Sequence, residues 1–224
     1  MFFGMNHDFV RTCILLKVID ALLVDAFVET GTHVGRTCFL IASQTGLPVF
    51  SSEVNRQYRK VAGWFLRCFG PRIHLSSMDS VSFLRDLLYH RRFKRPLFYL
   101  DAHWYRELPL VEEIRTIANF VESFVIVIDD FRVPGDGNFG FDRYGDTVLE
   151  WALIERVLVD SGRSMAVYFP AYGSSIEVGD RRGWILIASL DNEKLINETV
   201  PCGLLKCHAR IDNSMWSICA HSET

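Results

Sequence analysis

Three aspartates follow short apolar runs in this sequence, at positions where they could lie together. Asp101 comes directly after the run at residues 97–100. Asp129 and Asp130 come directly after the run at residues 124–128. Such runs are typical of strands buried on both faces, and the carboxyl ends of parallel strands share the sheet edge where open α/β proteins bind ligands. Clustered carboxylates repel one another unless a cation or a proton lies among them, so the three aspartates are candidate ligands of a divalent cation.

A turn with two glycines follows the first strand-like run, at residues 26–29. Gly31 would let the backbone approach a ligand closely, and Gly35 would begin a helix whose N-terminus favours polar or anionic groups. The spacing is G-x-x-x-G, which differs from the G-x-G-x-x-G of dinucleotide enzymes. Taken alone, this turn is equally well interpreted as a purely structural turn and as a ligand-binding one.

The next two strand-like runs are also followed by acids. Glu53 could accept hydrogen bonds from both hydroxyls of a ribose, as acids do at this position in nucleotide-binding sheets. Asp79 could hold an adenine amino group, or it could simply cap the helix that follows it. The serial order of these two acids along the chain favours a ligand site over two unrelated surface or helix-capping carboxylates.

Apolar periodicity and Gly or Pro breaks predict the elements that would position these residues. Strands are predicted at residues 26–29, 49–53, 73–76, 97–100, 124–128, 165–170 and 184–190. Helices are predicted at residues 9–23, 37–43, 55–69, 80–88, 110–120 and 147–161. The alternation predicts an α/β fold with a doubly wound, mostly parallel sheet and helices on both faces. The last two strands are predicted to form a closing antiparallel hairpin.

Several of these segments together resemble the successive motifs of class I S-adenosylmethionine-dependent methyltransferases. The matching segments are Glu29-Thr30-Gly31-Thr32-His33-Val34-Gly35, Glu53, Met78-Asp79-Ser80 and Asp101. Within that class, the later D-x-H and D-D make the sequence most similar to the metal-dependent O-methyltransferases of macrocin-type macrolide and aminocoumarin sugars. The resemblance covers about residues 25–132 and, more weakly, the closing strands. It implies a Rossmann-like fold and methyl transfer to a hydroxyl of a small molecule, such as a sugar or natural product.

The resemblance also implies which residues bind the cofactor, S-adenosylmethionine. Glu29, Gly31 and Gly35 would line its methionine and ribose portion. Glu53 would bind the ribose hydroxyls, and Asp79 the adenine. The neighbouring positions complete the implied cofactor-binding set: Thr30, Thr32, Met78, Ser80 and Asp101.

The same resemblance implies a metal site, and the residues beside it include a candidate catalytic pair. Asp101, Asp129 and Asp130 would hold Mg²⁺ or another divalent cation, because oxygen-only ligands suit hard ions. Asp101 and His103 would be the catalytic residues, with His103 as the base that removes the acceptor's proton; alternatively, His103 is a residue of the metal shell or a hydrogen-bonding residue. The related sugar enzymes have an Asp where this chain has His103, and His33 is a weaker alternative base.

Aromatic and charged residues near these acids would form the acceptor pocket. Trp104 and Tyr105 would line its wall, or would equally well pack in the core or at the rim. Residues 133–146, rich in Gly, Asp and aromatics, are predicted to be an active-site loop that closes over the acceptor. Its candidate contact residues are Phe139, Phe141, Asp142 and Tyr144. Arg132 could orient Asp130 or form an ordinary ion pair.

Composition sets limits on the class of protein. The chain has 224 residues, 49% of them hydrophobic, and a net charge of −3, which fits one globular domain and disfavours general nucleic-acid binding. The predicted layout is an N-terminal helix (1–23), a cofactor and metal-binding core (24–132), the active-site loop (133–146) and a C-terminal helix with closing strands (147–224). A small-molecule acceptor is the expected partner, without nucleic acid or membrane, and a homodimer is possible by analogy.

Compartment and alternative functions complete the expectations. Six cysteines without a C-x-x-C pair are expected to be buried thiols, and the apolar N-terminal stretch is interrupted by charges, so a cytoplasmic location is expected. One alternative function is a nicotinamide-dependent oxidoreductase. The other is a non-catalytic or metal-independent nucleotide-binding protein of the same architecture.

Overall fold

A computed structural model describes residues 4–102 and 108–212, and the backbone of residues 215–218. Its strands are β1 (Ala26–Thr30), β2 (Val49–Ser52), β3 (Ile73–Ser76), β4 (Pro96–Leu100), β5 (Val125–Ile128), β6 (Arg143–Tyr144), β7 (Thr147–Val148), β8 (Met165–Pro170), β9 (Ile185–Ser189), β10 (Leu205–Asp212) and β11 (Met215–Ile218). Its α-helices are α1 (Phe9–Ala21), α2 (Arg36–Thr45), α3 (Arg56–Phe65), α4 (Ser80–His90), α5 (Leu110–Phe120), α6 (Trp151–Asp160) and α7 (Leu190–Thr199).

Nine strands of the described chain form one central sheet, in the order β11-β10-β8-β9-β5-β4-β1-β2-β3. Strands β3, β2, β1, β4 and β5 are parallel to one another. Strand β9 runs antiparallel between β5 and β8, and β10 and β11 continue the antiparallel part. The predicted doubly wound, mostly parallel Rossmann-like sheet with antiparallel closing strands is confirmed.

The central strands are apolar and buried because helices cover both of their faces. All five residues of β1 and all five of β4 are buried. Helix α1 contacts α2 and α7, and α5 contacts α4 and α6. In a parallel sheet with right-handed helical crossovers, these two sets are expected on opposite faces of the sheet.

The strand order reverses between β1 and β4, and this switch point positions the candidate site. In such sheets, ligands bind in the crevice beyond the carboxyl ends of the strands at the reversal. The register aligns Thr30 with Leu100, and Leu100 with Ile128. The residues that follow these three strand ends therefore leave the sheet side by side.

The predicted elements differ from the structure mainly in the last third of the chain. The predicted helix at 147–161 begins at Trp151, because β7 pairs with β6 in a small hairpin that reaches into the predicted loop. The predicted closing hairpin is present as β8 and β9. Helix α7 and strands β10 and β11 were not predicted.

Two expectations about compartment can be compared with the structure. Among the cysteines in the described residues, Cys38 is buried but Cys68 and Cys202 are exposed, so the expectation of buried thiols is wrong for those two. None of the helices within the described ranges has the length and apolar character needed to cross a membrane.

Candidate functional site

Gly31 lies where β1 and β4 end, in close contact with the backbone of Asp101. The Asp101 amide donates to the Thr30 carbonyl at 3.0 Å, which continues the β1–β4 pairing past the strand ends. Gly31 has a φ of +88°, and a Cβ at this position would lie 2.3 Å from the Asp101 carbonyl oxygen. Only glycine meets both requirements, so this turn is fixed by its backbone geometry.

A cavity of about 260 Å³ opens at this edge of the sheet. It is lined by segments that follow β1, β2, β3 and β4: Gly31, His33, Ser52, Glu53, Val54, Asn55, Tyr58, Met78, Asp79, Ser80, Val81, Ala102 and Pro109. Five residues of the predicted cofactor-binding set line this one cavity: Gly31, Glu53, Met78, Asp79 and Ser80. Three successive strand ends thus contribute to a single concave surface.

Glu53 is held in place by backbone donors on both sides of its carboxylate. The His33 amide donates to Oε2 at 2.7 Å, and the Asn55 amide donates to Oε1 at 2.7 Å. A carboxylate oxygen has two acceptor positions, so each oxygen keeps one for a ligand. The side chain is nearly buried but borders the cavity. This is a preorganised acceptor for a pair of neighbouring hydroxyls.

Asp79 both caps a helix and lines the cavity. Its carboxylate accepts from the Ser82 amide at 2.9 Å, as an N-cap residue of α4 does. Hydrogen bonds from the first turn of that helix lower the pKa of Asp79, so it is anionic over the physiological range. Asp79 can therefore cap α4 and bind a ligand at the same time.

Glu29 is buried in β1, among other buried groups. Its Oε2 accepts from the Cys38 thiol at 2.9 Å and from the Ser51 hydroxyl at 2.7 Å. Burial raises the pKa of Glu29 to about 7, and the hydrogen bonds from Cys38 and Ser51 only partly offset this. The structure does not place Glu29 on the cavity wall.

Three further residues of the predicted cofactor set, Thr30, Thr32 and Gly35, lie in or next to the turn and are absent from the cavity lining. Thr30 is buried in β1, and its hydroxyl has no hydrogen-bond partner among the described residues. The Thr32 and Ser51 hydroxyls lie 2.6 Å apart. Gly35 precedes α2 with a φ of +84°, and a Cβ there would lie 2.8 Å from Leu66 Cδ1. These residues shape the turn and do not line the cavity.

The aromatic side of the cavity was not predicted from the sequence. The His33 ring packs edge-on against Tyr58, with 4.4 Å between ring centroids. Tyr58 belongs to α3, whose N-cap is Asn55. The only sequence signal was an aromatic residue one turn into the helix that follows Glu53.

Asp129, the first of the paired acids, is buried and fully hydrogen-bonded. Its Oδ1 accepts from an Arg11 guanidinium nitrogen and from the Asp130 amide. Its Oδ2 accepts from the Tyr99 hydroxyl and from Asn6 Nδ2. Burial on its own would raise the pKa of Asp129, but Arg11 and these donors outweigh it and lower the pKa. Asp129 is therefore a fixed anion.

Arg11 is the main residue of this region that was not predicted from the sequence. It is completely buried in the first turn of α1, and it also donates to Asp8 at 2.8 Å. Burial would lower its pKa, but Asp129, Tyr99 and Asp8 raise it well above the usual value, so the guanidinium stays charged. The available signal was a charged residue among the apolar positions of a predicted helix.

The second acid of the pair contacts the predicted active-site loop. Arg182 forms ion pairs with Asp130 and with Asp142 of residues 133–146. The Asp142 amide also donates to the Asp130 carbonyl at 2.9 Å. Arg132 instead pairs with Glu150 at 2.8 Å, at the surface, which is the ordinary ion pair that the sequence allowed.

Other parts of the predicted acceptor pocket are placed near this contact. The Tyr144 hydroxyl donates to Asp142 at 2.9 Å. Phe139 is buried against Tyr172, with 5.9 Å between ring centroids, so it is a packing residue. Phe141 lies beneath the Arg132 guanidinium. The loop therefore lies beside the acidic strand ends, but Phe139 is not free to reach an acceptor.

Asp101 lies between the cavity and the paired acids. Burial, and then the charges of Asp129 and Asp130, raise its pKa well above the ordinary value. The predicted base His103, and the predicted pocket residues Trp104 and Tyr105, lie outside the described residues.

The donor set of the acidic strand ends does not fit a divalent cation. Mg²⁺ requires free carboxylate oxygens at short distance, but all four acceptor positions of Asp129 are occupied. Asp130 is paired with Arg182. Across residues 4–102 and 108–212, no group of three or more His, Cys, Asp or Glu residues could hold a metal ion. The expectation of Mg²⁺ on Asp101, Asp129 and Asp130 is therefore not supported.

Several solved structures of methyltransferases share this fold at low sequence identity. An O-methyltransferase from Bacillus cereus in complex with SAH has a TM-score of 0.57 and 16% identity, over 82% of this chain and 83% of its own. A magnesium protoporphyrin IX methyltransferase from Synechocystis with bound SAM has a TM-score of 0.52 and 16% identity, over 80% of this chain and 77% of its own. An S-adenosylmethionine-dependent methyltransferase from Clostridium acetobutylicum has a TM-score of 0.52 and 14% identity, over 81% of this chain and 91% of its own.

Comparisons by sequence give no assignment. No protein-family model matches the chain, and no curated protein matches it significantly. At 14–16% identity, the structural similarity shows the fold alone. The chain has the Rossmann-like fold found in these methyltransferases.

Proposed function

We propose that this protein is an S-adenosylmethionine-dependent methyltransferase that methylates a hydroxyl of a small molecule, such as a sugar or natural product. The observation that carries the proposal is the cavity at the switch point. It unites Gly31, Glu53 and Asp79 from three successive strand ends. Methyltransferases with SAM or SAH bound share the fold, which supports the same ligand class here.

The residues of the cavity fit the chemistry of this cofactor. Glu53 would accept hydrogen bonds from the ribose hydroxyls with the two acceptor positions that its backbone donors leave open. Asp79 would accept from the adenine amino group, and Gly31 would let the backbone approach the ligand. When bound, S-adenosylmethionine supplies an electrophilic methyl group on a sulfonium centre.

The acceptor would bind where the cavity meets the acidic strand ends. Asp101 lies at that boundary, and burial together with the charges of Asp129 and Asp130 raises its pKa, as is common for groups at functional sites. His103 remains the proposed base, on the strength of its position two residues after Asp101. Residues 133–146, which contact Asp130 through Asp142, would cover the acceptor. A divalent cation has no part in this proposal, because two of its three expected ligands, Asp129 and Asp130, are already paired with arginines.

Calorimetric titration with S-adenosylhomocysteine tests the proposal. The wild-type protein is expected to bind it with one-to-one stoichiometry. Glu53→Gln should weaken binding roughly 10- to 100-fold, because a hydrogen bond to a charged group contributes about 1.5–3 kcal/mol. Glu112→Gln, at an exposed carboxylate on α5, is the matched control and should bind like wild type. Unchanged binding in Glu53→Gln would refute the cofactor assignment.

A non-catalytic cofactor-binding protein is the second candidate, favoured by the pairing of Asp129 with Arg11 and of Asp130 with Arg182. It predicts tight binding of S-adenosylmethionine without methylation of any hydroxyl compound in an acceptor panel. Binding of NADH in place of S-adenosylhomocysteine, followed by fluorescence, would instead indicate a nicotinamide-dependent oxidoreductase.

A further inference from the structure

Arg11 occupies an unusual place for a charged residue. Its side chain is 0% exposed, and it lies in the first turn of α1 at the carboxyl edge of the sheet. Arginine is almost never fully buried unless it is paired. Its guanidinium contacts Asp129 on one side, and Asp8 and the Met5 carbonyl on the other. The charge therefore lies within a cluster of acids at the candidate site.

The contacts of Asp129 leave no acceptor position for another cation. An ionised carboxylate has about four lone-pair positions. Arg11 and the Asp130 amide use those of Oδ1, and Tyr99 and Asn6 use those of Oδ2. A metal ion could bind Asp129 only by displacing one of these donors, and it would then lie beside a guanidinium of the same sign.

The backbone before α1 is held in an unfavourable conformation that serves this arrangement. Met5, Asn6 and His7 have φ values of +54°, +56° and +62°. Left-handed backbone costs roughly 1–2 kcal/mol per non-glycine residue, so the surrounding contacts must hold it in place. This turn presents the Met5 carbonyl to Arg11 and the side-chain Nδ2 of Asn6 to Asp129.

A second segment holds the start of α1 from the opposite side. Glu177 accepts from the Val10 and Arg11 amides at 2.9 Å each. Asp8 accepts from the Arg181 amide at 2.9 Å and from the Arg182 amide at 3.1 Å. Residues 177–182 thus fix both the backbone of Arg11 and its acidic partner. The guanidinium is preorganised and has little freedom to move aside.

We propose that Arg11 is a built-in cation that takes the place of a divalent metal ion at the acidic strand ends and holds Asp129 in position, so that the protein neither binds nor needs a divalent cation there. Arg11 acts through Asp129 and is a positioning residue. Its role in methyl transfer rests on the proposed function, but the exclusion of a metal ion does not.

Electron paramagnetic resonance of Mn²⁺ tests this without any assay of activity. Wild-type protein should leave the signal of free Mn²⁺ unchanged up to millimolar concentration. Its unfolding midpoint should be the same in Mg²⁺ and in chelator, because only a ligand bound to the folded state shifts it. Arg11→Lys, which keeps the charge, should also bind no Mn²⁺. Arg132→Met, at a surface ion pair, is the control for loss of one arginine.

Arg11→Met removes the cation and leaves the acids uncompensated. If it folds, it should gain saturable Mn²⁺ binding that Asp129→Asn in the same background abolishes. If it does not fold, wild type and Arg11→Lys decide the question. Saturable Mn²⁺ binding to wild type that Asp129→Asn abolishes would overturn the proposal, as would a folded Arg11→Met variant that binds no Mn²⁺.

The test separates this proposal from the proposed function. A wild-type protein that binds neither Mn²⁺ nor S-adenosylhomocysteine would support the built-in cation and refute the methyltransferase. If methyl transfer is found, wild-type turnover should be unchanged by chelator. Arg11→Lys should retain most of the turnover that Arg11→Met loses. If Arg11 were needed only for its side-chain volume, the two variants would not differ in this way.

Discussion

Gly31 shows at the scale of a single residue how backbone geometry shapes the cavity. Its φ of +88° and its contact with the Asp101 carbonyl leave no space for a side chain. Gly46 has a similar φ of +71° but nothing within 4 Å of its Cβ position. The two glycines therefore share the backbone strain that any substitution would bring, and only Gly31 adds a steric overlap.

Gly31→Ala is expected to destabilise the protein by about 2–4 kcal/mol, since a backbone shift must relieve the overlap in addition to the left-handed strain. Gly46→Ala should cost only about 1–2 kcal/mol. Urea unfolding of both variants measures the difference. Equal losses in the two variants would show that the close approach at Asp101 is not a constraint.

Glu29 makes stability depend on pH. Its pKa is raised from 4.5 to about 7 by burial, so the folded protein holds a proton that the unfolded chain releases in this range. The contribution of this proton to the free energy of unfolding is fully present below pH 4.5. It is lost as the pH rises through 7, and the total loss is roughly 3 kcal/mol. Glu29→Gln should remove this dependence. The free energy of unfolding of both proteins can be measured in urea at pH 5 and at pH 8. The value for the variant minus that for wild type should be more positive at pH 8. A difference independent of pH would contradict the assignment.

Some site residues could be predicted because their signal is local. Gly31, Glu53 and Asp79 each follow a recognisable strand, so their meeting at one cavity follows from sheet topology. Arg11 could not be predicted, because its partner Asp129 lies 118 positions away and only the fold brings them together. The same separation explains why the paired acids were interpreted as metal ligands.

The start of α1 shows at the scale of an element how distant segments fix a helix. The first amides of a helix have no partner within it. Two of them, on Val10 and Arg11, are satisfied by Glu177, which also accepts from the Tyr172 hydroxyl at 2.7 Å. The position of Arg11 therefore depends on a carboxylate from the C-terminal part of the chain.

Glu177→Ala is expected to destabilise the protein by about 3 kcal/mol, since buried donors that lose their partner cost about 1–3 kcal/mol each and water can satisfy some of them. Glu198→Ala, which removes an exposed pair with Lys194, should cost less than about 1 kcal/mol. Chemical unfolding measures both. Hydrogen exchange of the Val10 and Arg11 amides should accelerate in the first variant alone, and unchanged protection would contradict the capping role.

Element prediction succeeded where strands and helices were separated by turn signals. The parallel half of the sheet has Gly or Pro near several helix ends, such as Gly46 after α2 and Gly70 after α3. Helix α7 was missed because β9 runs into it at Ser189 without an intervening Gly or Pro. The predicted helix at 147–161 was too long because the pairing of β6 with β7 outweighed local helical periodicity.

At the scale of the whole molecule, strand β9 joins the two parts of the sheet, because it pairs with β5 on one side and with β8 on the other. This strand joins the parallel part, which carries the site, to the antiparallel part. Its register is non-local, because Ile128 pairs with Ile185. Loss of either part would expose the apolar residues of β9, all of which are buried.

Unfolding is therefore expected to be a single cooperative transition, as for one domain. Tryptophan fluorescence includes the buried Trp184 beside β9, whereas far-ultraviolet circular dichroism reports all the helices. The two transitions in urea should coincide. Separate midpoints would show that the antiparallel strands form an independent unit.

A crystal structure of the protein grown with S-adenosylhomocysteine tests the central claim most directly. The account predicts the ligand in the cavity beside Gly31, with its ribose hydroxyls within hydrogen-bond distance of Glu53 and its adenine next to Asp79. Crystals from saturating ligand in which that cavity is empty, or in which the ligand lies elsewhere, would contradict the account.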